Sequence, residues 1–334
     1  MQRDAPWLKF LYPGWYAIVM GLAGLSLAWH RAVPLMGEAA AGAAVAIGAL
    51  AALVFALLLV LTVWRGLVHA EAWAEDRRHP VRHTFIAALP IGAMLVATVG
   101  VAMLGASAPL RALWWAACLA QLYVIVWVLA RWWRGNQAGG LQWAGITPAL
   151  FIPVVGNVIA PLAGVPLGHA EWAAAQFGIG LVFWPVALVL LLVRVGVAGL
   201  WPERLRPTVF ILVAPPAVVG LSALQLGAPV LVGWAMWGVA LFCLLWAATQ
   251  ARLIAAQPFA LAHWGMSFPL AAFAALTLRL AEPGGLLAVL GPAALALASI
   301  VIAGLVLGTL RGLRQGTLLV PEPAAAPPAP TTAA

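Results

Sequence analysis

The stretch AAAGAAVAIGALAALVFALLLVLTVWRG, residues 39–66, holds a single charged side chain, Arg65. A helix at a water interface keeps one polar face, and this segment has none. It is longer than the about 20 mostly apolar residues that cross the hydrocarbon of a bilayer, so it reads as a membrane span. Working outward, the same pattern predicts spans over 13–30, 39–66, 84–104, 110–130, 145–167, 172–194, 207–226, 229–251, 264–280 and 286–310. The composition agrees: 65% of the 334 residues are hydrophobic and 8% are charged, against about 25% charged in soluble domains. Mean hydropathy is +1.04. The expected class is an all-α integral membrane protein with ten transmembrane helices in one domain over 1–314, followed by an Ala/Pro-rich tail over 315–334.

Of the seventeen Lys and Arg, Arg31, Arg111 and Arg279 fall at one end of the spans and the other fourteen at the opposite end. Short cytoplasmic loops carry the excess of basic residues, so both termini are expected in the cytoplasm. The net charge of +8 is not a nucleic-acid signature, because the arginines stand between apolar segments and not as a patch on a soluble face. Cys118 and Cys243 lie inside apolar spans with no metal-ligand spacing. The first apolar run continues as a span without a small-residue cleavage site and is expected to stay in the membrane. Trp114, Trp115, Trp132, Trp133 and Trp201 stand near span ends as interfacial anchors. The tail, with Pro321, Pro323, Pro327, Pro328 and Pro330, cannot bury enough apolar surface to fold and is expected to be disordered and cytoplasmic.

Prolines are distributed unevenly. Pro90 falls in the third span, Pro153 and Pro161 in the fifth, Pro215 and Pro216 in the seventh and Pro269 in the ninth, while the second, fourth and eighth have none. Proline removes a backbone donor and frees a carbonyl about one turn earlier. At membrane depth that is tolerated only where protein or a water-filled cavity satisfies the backbone. The odd-numbered spans are therefore expected inside, as five helical hairpins around a central pore, with Pro185 and Pro292 as exceptions in even-numbered spans.

No Asp or Glu falls within a predicted span. Buried carboxylates mark proton relays and cation paths, so a proton pump or an acidic cation filter is disfavoured. An anion path needs hydroxyl or amide donors and a weakly positive potential. Candidate donors are Ser26, Thr84, Thr98, Thr147, Asn157, Ser222, Ser267 and Thr277. Arg77, Arg78 and Arg82, with His79 and His83, would form a cytoplasmic mouth, although the same cluster also serves the topology rule.

Five segments then carry a resemblance: PGWYAIVMGLAGLSLAW at 13–29, HPVRHTFIAALP at 79–90, PVVGNVIAPLAG at 153–164, VAPPAVVG at 213–220 and HWGMSFPLA at 263–271. In this order they resemble the TehA-type tellurite-resistance and dicarboxylate transporter (TDT) family, which includes the plant slow anion channels. The resemblance covers all of the chain but the tail. It implies ten helices in five hairpins around a pore, a homotrimer in the bacterial inner (cell) membrane, and conduction of small anions. It also implies that a phenylalanine of the ninth helix closes the pore, which falls here on Phe268. Two departures stand out: Val19 occupies a position where the family has a proline, and Pro269 directly follows the gate residue.

The expected activity is thus a gated anion channel. The alternative is a secondary carrier or exporter of sulfite, tellurite or C4-dicarboxylates, and the lack of a mid-span arginine favours small monovalent anions. No enzyme chemistry, cofactor or metal is expected, because His169 and Glu171 stand without a partner pair.

Overall fold

A computed structural model describes residues 6–135, 137 and 139–321; the expected tail beyond residue 321 lies outside the described residues. The described residues are helical, with no strand. Nine helices among them are long and apolar enough to cross a membrane: α1 (Pro13–Met36), α2 (Glu38–Val68), α4 (Arg82–Leu104), α5 (Ala108–Arg134), α7 (Ala170–Ala198), α8 (Glu203–Gln225), α9 (Val230–Ala248), α10 (Leu261–Arg279) and α11 (Leu286–Arg314). The expected fifth span is the shorter, broken α6 (Pro148–Gly164). The short helix α3 (Ala70–Arg78) lies where a loop was expected.

These segments form two layers. α1, α4, α6, α8 and α10 make a closed inner ring, each packing against the outer helix that follows it. Between 56 and 94% of the apolar window is buried in α1, α4, α8 and α10, against 17 to 39% in the outer α2, α5, α7, α9 and α11. The alternation expected from the prolines is present. Gly37, at φ +65°, turns the chain from α1 into α2 in one residue, a left-handed conformation that favours glycine.

Every inner segment starts with a 3-10 turn at the same end of the ring. These turns are Pro13–Tyr16, Arg82–Ala87, Pro148–Leu150, Glu203–Val213 and Leu261–Met266. The α-helix proper then begins at Ala17, Ala88, Phe151, Ala214 and Ser267. Counted from those residues, Pro90, Pro153, Pro216 and Pro269 each occupy the third helical position, and Val19 holds it in α1. The first α-helical N–H still donates back into the 3-10 turn, as Ala17 does to the Gly14 carbonyl and Ser267 to that of Trp264, so the proline sits where the helix changes pitch. The proline ring would clash with the carbonyl four residues back in a continuous α-helix, and the tighter 3-10 turn upstream avoids that geometry.

α6 is broken a second time by the 3-10 turn Gly156–Ile159, and carbonyls around that break are taken up by neighbouring side chains. Gln121 Nε2 donates to the Pro153 carbonyl at 2.8 Å, Trp114 Nε1 to that of Ala160 at 3.1 Å, and the Ser222 hydroxyl to that of Val158. Irregular backbone survives at membrane depth when protein supplies such partners.

Candidate functional site

The five inner segments enclose a cavity of about 830 Å³ that opens at the end where the 3-10 turns lie. The deepest lining residue of each segment is Met20, Ile91, Ile159, Val218 and, in α10, Pro269, directly after Phe268. Phe268 is 8% exposed and lines this inner end. Its ring sits against Gly24 of α1, where a Cβ would come within 2.9 Å of the Phe268 Cδ2. The glycine thus makes the seat on which the ring lies. Above the mouth the wall is apolar except for Thr208 and backbone groups.

The structure separates the candidates. Arg82 lines the cavity mouth, and Pro215 and Pro269 line the deeper wall. Pro90, Pro153 and Pro216 are buried within the wall, behind the lining. Asn157 and Ser267, expected as polar pore groups, are fully buried and do not reach the cavity. The Ser267 hydroxyl donates to the Trp264 carbonyl at 2.7 Å, and Asn157 Nδ2 to the Pro153 and Val154 carbonyls. Ser26, Thr84, Thr98, Ser222 and Thr277 likewise donate to backbone carbonyls, and Thr147 is buried; none of these lines the cavity. With little water at hand, a short hydroxyl takes a carbonyl within reach. Thr208 of α8 lines the cavity instead, although its hydroxyl too donates to a backbone carbonyl, that of Leu205, and the spacing of polar residues did not single it out.

Arg77 and Arg78 stand apart from this cavity, in a second hollow with Arg131 and Arg134. The mouth itself is held by a buried ion cluster. Asp76 of α3 forms ion pairs with Arg65 of α2 at 2.7 Å and with Arg82 of α4 at 3.0 Å, and both Asp76 and Arg65 are essentially unexposed. Burial pushes the Asp76 carboxyl above its ordinary value, and the two guanidiniums offset only part of that shift. Arg65 also donates to the Lys9 carbonyl at 2.9 and 3.1 Å and lies over the Trp73 ring. Lys9 pairs with Glu75 at 3.6 Å, and Arg206 with Glu203 at 2.8 Å. The cluster ties an outer helix to an inner one through α3. Thr317, Leu318, Leu319, Val320 and Pro321, after α11, also line the cavity. Among the described residues no group of three or more His, Cys, Asp or Glu is placed to hold a metal ion.

Five inner segments around one cavity, with the quoted motifs at its wall, invite comparison with known proteins. The family model described as a voltage-dependent anion channel, SLAC1, matches residues 11–310. The chain belongs to the SLAC1 family. That range takes in nine of the ten apolar segments whole and most of the tenth, α11, and it stops short of Thr317–Pro321. The S-type anion channel SLAH2 of Arabidopsis thaliana is 27% identical over 232 residues, 68% of this chain and 44% of the plant protein. The chain thus spans less than half the length of that SLAC1-family relative. A tellurite resistance protein TehA homolog of Haemophilus influenzae is 27% identical over 266 residues, 78% of each chain. With its apolar helices, this member of the SLAC1 family is a multi-pass membrane protein.

Proposed function

We propose that this chain is a gated anion channel passing small inorganic or organic anions, closed by the ring of Phe268. The observation that carries the reading is the cavity: it is walled by five parallel inner segments and ends at a phenylalanine. Behind its mouth no charged side chain lines it. A narrow apolar constriction blocks ions both sterically and by dewetting. At the mouth the lining cations Lys9, Arg82 and Arg204 outnumber the lining anions Glu75 and Glu203. Both of these carboxylates are engaged by Lys9 or Arg206. Anions are thereby drawn to the mouth over a screening length of about 8 Å at physiological salt. The deeper apolar path offers no tight binding to leave. Both relatives, an S-type anion channel and a tellurite resistance protein homolog, support the same class.

In this reading α6 completes a tenth crossing, both termini face the cytoplasm of a bacterial cell, and three copies assemble with one pore in each. The basic excess at the mouth end supports the orientation. The trimer rests on the family resemblance.

The test is the reversal potential and current of the purified protein and its Phe268→Ala variant in planar bilayers under a chloride gradient. Anion-selective currents that rise several-fold in the variant are expected. Unchanged currents from a correctly assembled variant would remove Phe268 from the gate, and silent bilayers with saturable sulfite or malate uptake into vesicles would move the chain to the carrier class.

A further inference from the structure

Arg77 and Arg78 end α3, and Arg131 and Arg134 end α5, some fifty residues further along the chain. The fold brings all four to one hollow of about 360 Å³, closed by Trp127 and Gly139. That volume lies within the range of small-molecule sites, roughly 300 to 1,000 Å³. We propose that this hollow binds a phosphate group, either the headgroup phosphate of an anionic lipid or that of a soluble phosphorylated compound.

Three observations support it. The first is charge: no carboxylate lines the hollow, and among the described residues none of the four arginines has an acidic partner. Lys9, Arg65, Arg82 and Arg206, at or beside the cavity mouth, are all paired. The topology rule asks only that basic residues lie on one side of the membrane; it does not gather four of them around one space without counter-charge.

The second is preorganisation. Arg131 donates through Nε to the Gly139 carbonyl at 3.1 Å and through Nη1 to the Arg77 carbonyl, and it lies over the Trp127 ring at 5.6 Å. Its guanidinium is held before a ligand arrives, which lowers the ordering cost of binding, and among the described residues Nη2 has no hydrogen-bond partner. Guanidinium matches phosphate oxygens in a bidentate way.

The third is position. Trp132 and Trp133 follow Arg131 directly, with Trp133 91% exposed, as expected where a span meets the headgroups. Basic pockets at that level receive anionic lipid headgroups. The hollow is also coupled to the mouth, because Arg77 directly follows Asp76, which clamps Arg82. An occupant would therefore steady α3. This inference does not depend on the channel reading.

The test is native mass spectrometry of the detergent-purified full chain titrated with phosphatidylglycerol, with and without inorganic phosphate as competitor. Two double variants are compared with it: Arg78→Ala/Arg134→Ala, and Arg311→Ala/Arg314→Ala, which removes two exposed basic residues from the end of α11 instead. A tenfold or greater loss of lipid affinity in the first pair alone, with no competition by phosphate, is expected for a lipid headgroup. Full competition by phosphate, lost in that same pair, would support the site with a soluble phosphate as its source. Equal loss in both pairs, or loss in neither, would overturn the proposal and leave the arginines as topology determinants.

Discussion

α7 and α8 are neighbours in the chain and both are strongly apolar, yet 17% of the apolar window of α7 is buried against 94% of that of α8. In a soluble protein such a difference would appear as hydrophobicity. In lipid it does not, because the solvent is as apolar as the core and both faces can carry leucine and valine. What separates the two layers is backbone. α7 runs as one α-helix of 29 residues, while α8 spends its first eleven residues in a 3-10 turn and only then becomes α-helical, with Pro215 and Pro216 at the junction. Apart from Pro185 in α7 and Pro292 in α11, the outer layer keeps its hydrogen bonds to itself, and the inner layer interrupts them where other protein groups can respond.

The largest effect is expected where the two layers are fastened together. Asp76 joins Arg65 of outer α2 to Arg82 of inner α4. Removing one partner of a buried ion pair leaves a charge without compensation, at a cost of about 3–5 kcal/mol. Asp76→Ala is expected to lower the unfolding midpoint in mixed detergent micelles accordingly. A midpoint equal to that of wild type would mean that the layers are held by apolar packing alone.

That fastening is also the part the sequence hid. Arg65 and Asp76 are eleven residues apart with no periodic relation, Asp76 fell in an expected loop, and only the helix Ala70–Arg78 turns it inward. The layers themselves were legible, because a proline in a span forces a backbone break that must be answered by protein. The identity of the polar lining was not. Whether Ser267 or Thr208 meets the cavity depends on the rotation of each broken helix, and no spacing rule fixes that rotation across a 3-10 junction. The convergence of Arg131 and Arg134 with Arg77 and Arg78 was equally beyond a one-dimensional reading, since it requires the ends of α3 and α5 to meet.

A smaller effect should follow from giving the outer layer the break that the inner layer tolerates. Leu53 lies in the middle of α2 and is 67% exposed to the surroundings of the helix, so little side-chain packing is at stake. Leu53→Pro removes one helical hydrogen bond and sets the ring against the Ala49 carbonyl, costing about 3 kcal/mol. No neighbouring protein stands on that face to take up the freed carbonyl, unlike Gln121 and Ser222 at α6. Thermal unfolding monitored by circular dichroism should show the loss, and an unshifted transition would undermine the distinction between the layers.

The smallest effect is expected at Val19, the third α-helical residue of α1 and the position that proline holds in the other four inner segments. The side chain is fully buried, and the proline ring carries the same three side-chain carbons. Val19→Pro should therefore unfold within about 1 kcal/mol of wild type, since the position lies at the change from 3-10 to α pitch that already holds a proline in the other four segments. α1 begins with a 3-10 turn without a proline at that position, so the turn there is imposed by packing against α4 and α10 as much as by local chemistry. If Val19→Pro costs as much as Leu53→Pro, the common register of the five segments is not what admits proline. If it is neutral, the ring of inner segments accepts the residue wherever its own geometry has already opened the helix.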